Sequence, residues 1–378
     1  MPGLVLPGGG ARGAYQAGAL KALSEILATE TNPFPVIMGA SVGAINAVAL
    51  AAKAQAFAAG VGQLVEFWRS LHPDSIYRTD LATILTTGAQ WVAALTPLGT
   101  LGVVHPRSIL DSTPLRELVH DRIDFGAIAR AIDAGALRAV GVTASSYDRA
   151  RAITFFQGHR DILGWQRARR DGVPVSLIAD HVLASSALPV LFEAVRIGKE
   201  YYGDGSLRLT APLSPAIHCG ADRILVIGAR DATPPAEVPD RPRYPGLGTI
   251  SGYLLDMVFM DNLDADIERT RRIDRTLNLL PPGEHDKTGL RHVEVLMLQP
   301  SIDIRSIART HQSQMPRTVR MLLRRLGIWG NDWRMPSFLL FTPDYCGALI
   351  DLGFRDTMAR RAEICRFLRL PDGSRAAI

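Results

Sequence analysis

The sequence predicts an α/β protein, a three-layer sandwich with a central, mostly parallel sheet and a mainly helical C-terminal extension. Three observations predict it. Leu4-Val5-Leu6 and Val36-Ile37-Met38 are short, continuous apolar runs of the kind that form buried strands. Each run leads into a glycine cluster and then into a helical apolar pattern, and strand, helix, strand, helix in series builds a parallel sheet under covering helices. Strand-like runs then return at Ala139–Thr143, Ile153–Phe156 and Arg223–Ile227, separated by further helical stretches.

The elements follow in order. From Gly13 onward, Tyr15, Ala19, Leu20, Leu23, Ile26 and Leu27 recur at helical spacing, until Asn32-Pro33 and Pro35 break the pattern. The second helix is expected from Ser41 to Lys53. Residues 56–135 are expected to be mostly helical, with stripes at Leu64, Phe67, Trp68 and Leu71 and at Leu115, Leu118 and Val119. Within them Thr86–His105, rich in Gly, Thr and Pro, is read as a helical excursion, with a lid or pocket wall as the alternative. Ala139–Thr143 and Ile153–Phe156 flank a turn and predict an antiparallel hairpin. A helix is expected over Val175–Ser186. A second hairpin is expected from Val190–Ile197 and Glu200–Tyr202, turning at Gly198-Lys199.

Composition divides the chain into three parts. Residues 1–232 form the expected catalytic domain. Residues 233–246 hold Pro234, Pro235, Pro239, Pro242 and Pro245 and read as a linker or extended arm. Residues 247–378 are mainly helical, with Val293–Leu298 as a strand that can rejoin the sheet.

Of the 378 residues, 47% are hydrophobic and 21% charged, the balance of a folded globular protein. The formal net charge of +5 suits an anionic surface or simple solubility. Cys219, Cys346 and Cys365 are odd in number and far apart, so neither a disulfide framework nor a metal site is expected. With no signal-peptide pattern and no apolar run of membrane-spanning length, a cytoplasmic protein is expected, with peripheral membrane contact at most. The best candidate for that contact is 316–329, where Val319, Leu322, Leu323 and Leu326 oppose Arg317, Arg320, Arg324 and Arg325, and Trp329 follows. A packed helix with a solvated arginine face is the simpler reading. No nucleic-acid motif accompanies the basic charge.

The chemistry lies in the glycine clusters. Gly39-Ala40-Ser41-Val42-Gly43 fits G-x-S-x-G between a strand and an Ala-rich helix. That spacing holds a serine in a sharp turn, and Gly39 and Gly43 let neighbouring backbone pass close by. Gly8-Gly9-Gly10-Ala11-Arg12-Gly13 can turn successive backbone N–H groups toward one point, as an oxyanion requires, with a helix N-terminus behind them. Arg12 adds a charge that supports either the loop or the anion. The same cluster fits the dinucleotide fingerprint G-x-G-x-x-G, but the second strand ends in Met38-Gly39 where that site wants an acidic residue. A serine nucleophile needs a base. No histidine has a compelling setting, although His218, His285 and His292 remain open. Asp204 follows a strand in Tyr202-Gly203-Asp204-Gly205-Ser206, where it is either a base or an ordinary Asp-Gly turn.

Taken together, Gly8–Gly13, Gly39–Gly43 and Asp204-Gly205 resemble the three signature motifs of patatin-like phospholipases, in the same order. Ala184-Ser185-Ser186-Ala187-Leu188-Pro189 with Phe192, and Gly220-Ala221-Asp222-Arg223-Ile224, resemble segments flanking the aspartate in bacterial members. The likeness covers roughly residues 3–230. Ser206, Leu209-Thr210 and Glu193 depart from the usual pattern. The resemblance implies a Ser41–Asp204 dyad, an oxyanion hole at Gly8, Gly9 and Gly10 with Arg12, and hydrolysis of lipid acyl esters without metal or organic cofactor. A homodimer is a further expectation. The rival readings are a histidine-dependent hydrolase or acyltransferase using the same serine, and a catalytically idle lipid-binding scaffold.

Overall fold

A computed structural model describes residues 1–80, 82, 83, 86, 89, 90, 107–230, 244, 246–281, 284–325, 327, 329 and 333–370. In chain order the elements are β1 (Pro2–Leu6), α1 (Ala14–Leu27), β2 (Val36–Ala40), α2 (Val42–Ala51), α3 (Phe57–Ser70), α4 (Thr113–Arg122) and α5 (Gly126–Asp133). Next come β3 (Ala139–Ser146), β4 (Arg151–Gly158), β5 (Trp165–Arg167), β6 (Arg170–Pro174), α6 (Ala179–Ser185), β7 (Val195–Ile197), β8 (Glu200–Asp204), α7 (Ser214–His218) and β9 (Arg223–Ile227). The C-terminal part adds α8 (Leu247–Asp256), a π-helical turn (Met257–Asp261), α9 (Asn262–Leu277), β10 (Glu294–Leu298), α10 (Ile304–Thr310), α11 (Arg317–Arg325), α12 (Arg334–Leu339), α13 (Pro343–Ala359) and α14 (Arg361–Leu368).

One sheet runs β10-β9-β1-β2-β3-β4-β6-β5, with helices on both sides. β10, β9, β1, β2 and β3 are mutually parallel, and β4 and β8 pair antiparallel to β3. β1, β2 and β3 are almost wholly buried, because each is covered on both faces and carries continuous apolar or small residues.

The pairing on β3 positions the site. β4 pairs with the full length of β3. β2 pairs with the first part, ending at Ala40 opposite Thr143. β8 enters from the opposite direction and ends at Asp204 opposite Ala144. The C-terminal ends of β2 and β8 therefore meet head to head along one edge of β3. The residue after Ala40 is Ser41.

The C-terminal part is built into this framework. β10 extends the sheet beside β9. α13 lies against α1 so closely that a Cβ on Gly18 would stand 1.9 Å from the Ile350 carbonyl oxygen, and one on Gly353 would stand 2.2 Å from that of Tyr15. α11 buries Val319 and Leu323, so its apolar side faces inward, while Arg317, Arg324 and Arg325 are exposed. Among the described residues, no single helix is long and apolar enough to cross a membrane.

Some boundaries differ from expectation. The helix expected from Val175 begins at Ala179: Val175–Ile178 are outside any helix, Ile178 is extended, and His181 Nδ1 accepts the Ile178 N–H at 3.1 Å. The strand expected from Val190 begins at Val195. Val190 adopts φ +69, and its carbonyl accepts the Ile109 N–H. The β5–β6 pair is additional. The Thr86–His105 and proline-arm readings fall largely outside the described residues, as do Leu326 and Ile328.

The contact between α13 and α1 yields a prediction. Gly353→Leu should lower unfolding stability by about 3 kcal/mol, the upper range for overpacking, because the obstruction is backbone that cannot rotate aside. Urea denaturation followed by circular dichroism measures it.

Candidate active site

Ser41 is the corner between β2 and α2, with φ +54 and ψ −133, backbone that costs a non-glycine residue on the order of 1–3 kcal/mol. Two serines hold it there. The Ser41 N–H donates to Ser185 Oγ at 2.9 Å, and Ser185 Oγ donates in turn to the Thr143 carbonyl at 2.6 Å. Ser186 Oγ donates to the Ser41 carbonyl at 3.1 Å. Both serines end α6, so that short helix clamps the backbone of the corner from both sides. The motif context of Ser185 and Ser186 was visible in the sequence, but nothing there indicated which backbone they hold.

The glycine loop sits beside this corner. At Gly43 the two approach closely: a Cβ there would fall 1.9 Å from the Leu6 carbonyl oxygen and 2.6 Å from that of Pro7. The loop then turns at Gly10, φ +54, into a short 3-10 turn that feeds α1. A Cβ on Gly10 would stand 2.4 Å from the Phe338 carbonyl oxygen. The Arg12 side chain points away from the serine and into the C-terminal part. It donates to Ser337 Oγ from Nε at 2.9 Å and from Nη2 at 2.8 Å, pairs with Asp256 at 3.1 Å, and stacks on the Phe338 ring at 3.8 Å.

Asp204 is fully buried. Its Oδ1 accepts the Ser206 N–H at 2.9 Å, which closes the turn after β8. Its own N–H donates to the Ala187 carbonyl at 2.8 Å, so the loop after α6 also fixes this aspartate. Oδ2 is buried and lacks a hydrogen bond of good geometry, yet the Ser41 hydroxyl lies close enough to favour the charged carboxylate. Burial pushes the Asp204 pKa up to about 6, against the opposing influence of Ser41 and Ser206. Gly205 carries the turn past the Thr143 carbonyl.

The structure thus brings Ser41, Asp204, Gly8 to Gly10, Gly39, Gly43 and Gly205 together, and directs the Arg12 side chain elsewhere. Among the described residues no histidine hydrogen-bonds Ser41 or Asp204. His218 stacks on Trp165, and burial, followed by nearby arginines, pushes its pKa down to about 4. His292 pairs with Asp274, and His285 packs on His292.

The model of one family, described as patatin-like phospholipase, matches residues 4–217, more than half of the chain and all three motifs. The chain belongs to the patatin-like phospholipase family. Its members act in general as lipid acyl hydrolases. Among solved structures, the patatin-like chain is similar to VipD from Legionella pneumophila, at 14% identity and a TM-score of 0.38, over 96% of this chain and 67% of that one. No curated protein sequence matches it. The family match ends before the C-terminal part that holds Arg12.

Two predictions follow from the geometry of this patatin-like site. Ser185→Ala removes the acceptor of the Ser41 N–H and the donor to Thr143, so it should destabilise the fold by about 1–3 kcal/mol in urea unfolding. Asp204 has a folded pKa above its unfolded one, so its charge opposes folding: the penalty is absent below about pH 4, grows between pH 4 and 6, and is complete above. Relative to Asp204→Asn, the wild type should therefore lose about 2 kcal/mol of stability between pH 4 and 7. Parallel urea titrations at the two pH values test this, since contributions independent of pH cancel.

Proposed function

We propose that this patatin-like chain hydrolyses fatty-acyl esters of phospholipids or lysophospholipids through a Ser41–Asp204 dyad. The observation that supports the reading is the head-to-head ending of β2 and β8 on β3, with Ser41 directly after β2 and, at the end of β8, a fully buried carboxylate whose Oδ2 has no hydrogen bond among the described residues. The family match supports lipid acyl hydrolysis.

Asp204 Oδ2 takes the proton from Ser41 Oγ as that oxygen attacks the acyl carbonyl carbon. The carbonyl oxygen becomes an oxyanion, held by the backbone N–H groups of Gly9 and Gly10, with Gly8 shaping the loop and the N-terminus of α2 adding positive field. The tetrahedral intermediate collapses. The C–O bond to the glycerol oxygen breaks, and that oxygen leaves with the proton held by Asp204. Water then gives a proton to Asp204 and attacks the acyl-serine. The fatty acid departs as Ser41 regains its proton. Arg12 serves as an anchor for the loop, because its guanidinium is committed to Ser337 and Asp256.

Burial gives Asp204 the basicity this requires. A carboxylate with an ordinary pKa near 4 is a weak base at neutral pH, and one raised to about 6 is better matched while still ionised. Activity should therefore rise with pH through about 6 and level off above it.

Ser41→Ala and Asp204→Asn should each lower kcat by a factor of about 10⁴ or more while leaving the protein folded. Mass analysis of the products from phospholipid and lysophospholipid substrates reads the loss, and a fluorophosphonate probe should label Ser41 in the wild type. Full activity in Asp204→Asn, or its loss in a single His→Ala variant, would overturn the dyad.

A further inference from the structure

The nucleophile is closed off. Ser41 is 3% exposed, although its attack requires an ester carbon at about 3–3.5 Å from Oγ. Beside it, the π-helical turn after α8 covers the glycine loop. Phe259 in that turn lies on the glycine loop: a Cβ on Gly8 would meet its ring at 2.5 Å, with Ser206 Oγ at 2.7 Å. Phe259 also packs on Phe338 at 5.2 Å between ring centroids, and Phe338 in turn carries Arg12. One turn earlier, Asp256 joins Arg12 at 3.1 Å and Arg334 at 3.3 Å. The same segment therefore covers the glycine loop and is latched to it.

The outer face of this segment is unusual for a water-facing helix. Ile250, Tyr253, Leu254 and Met257 recur at i, i+3, i+4 and i+7 and are 42%, 59%, 48% and 42% exposed. Gly252, Leu255 and Phe259 occupy the opposite, inward side. From Leu247 to Leu255 there is no charged residue, and Asp256 is turned toward the two arginines. A helix whose outer stripe is apolar and uncharged is suited to an apolar surface.

We propose that α8 and the Met257–Asp261 turn form a lid that docks on a lipid surface through Ile250, Tyr253, Leu254 and Met257, and that docking lifts Phe259 from the glycine loop. The proposal rests on the lipid-hydrolase reading, which identifies the occupant. The substrate of a lipid acyl hydrolase is itself part of an apolar surface in water, and here the exposed stripe and the residue that blocks the loop belong to one continuous segment. Contact with that surface buries the stripe and breaks the Asp256–Arg12 pair in the same movement. The docking face is distinct from the arginine face of α11, whose apolar residues Val319 and Leu323 are already spent on the core.

Co-flotation with phosphatidylcholine vesicles tests docking without turnover when the full chain carries Ser41→Ala. That protein should float, and binding should persist at high salt because the stripe is uncharged. Adding Ile250→Ser with Leu254→Ser, or independently Tyr253→Ser with Met257→Gln, should weaken binding about tenfold or more. With Ser41 intact, either pair should lower hydrolysis of vesicle lipid and leave hydrolysis of a soluble short-chain ester unchanged. Undiminished flotation of both pairs, binding abolished by salt, or an equal loss on the soluble ester would overturn the lid. So would a dimer in sedimentation that these pairs convert to monomer, which would assign the stripe to a second copy. Failure of the dyad reading is seen separately, as absence of the fluorophosphonate adduct on Ser41.

Discussion

The amide of Gln16 joined to the amide of Asn46 holds the two halves of the site in register. Asn46 Nδ2 donates to Gln16 Oε1 at 2.8 Å, and Gln16 Nε2 donates to the Pro7 carbonyl at 2.8 Å and to that of Ile227 at 3.2 Å. Trp68 Nε1 closes the chain by donating to Asn46 Oδ1 at 2.9 Å. Gln16, Asn46 and Trp68 are essentially without solvent exposure. A primary amide suits each position, because it accepts on one side and donates twice on the other, so a dry interior leaves none of these groups unpaired. The consequence is geometric. Pro7 starts the glycine loop, Gln16 belongs to the helix after that loop, and Asn46 to the helix after Ser41. The glycine loop and Ser41 cannot drift apart without breaking buried hydrogen bonds, and displacements of about 1 Å are what catalytic geometry does not tolerate.

Around this fixed frame the site carries opposing energies. The positive φ of Ser41 and the burial of Asp204 both disfavour the folded state, and neither helps packing. They persist because neighbours outnumber them. Ser185 and Ser186 hold both backbone groups of Ser41, and the Ala187 carbonyl and the Ser206 N–H hold Asp204. The clamp on Ser41 and one hold on Asp204 come from three consecutive residues, through Ser185 Oγ, Ser186 Oγ and the Ala187 carbonyl, so one short segment positions both. This explains how an aspartate from a hairpin more than 160 residues further along the chain can be set beside Ser41.

Local signals were legible and remote partners were not. Leu4–Leu6, Val36–Met38 and the glycine spacings act within a few residues, and the first hairpin could be read from its turn and alternation. Gln16 and Asn46 looked like ordinary helical residues, since a buried amide announces itself only through partners in other elements. Arg12 was marked by its motif, but its partners Ser337 and Asp256 lie 325 and 244 residues away, beyond any spacing rule. Val190 looked like a strand start because it is β-branched and apolar, whereas it has a positive φ in a loop whose Val190 and Leu191 carbonyls accept the Ile109 and Leu110 N–H groups from a remote segment. Val175–Ile178 continued an apolar pattern into α6, yet they follow the β6 strand directly and Ile178 is still extended.

The C-terminal part and the base are linked through water. On the proposed reading Asp204 is basic enough because burial denies it solvent, and Phe259 stands at Gly8 beside Ser206, the residue whose N–H holds that carboxylate. Opening the lid in bulk water would rehydrate the turn and let the pKa fall toward that of an ordinary carboxylate, so an open site in water would hold a weaker base. Opening against lipid differs, because the space Phe259 leaves is filled by an acyl chain. The apolar surface of the substrate then replaces the apolar cover of the protein, and Asp204 keeps its raised pKa while Ser41 gains its target. On this view the lid does more than admit substrate: it restricts opening to conditions under which the base remains competent.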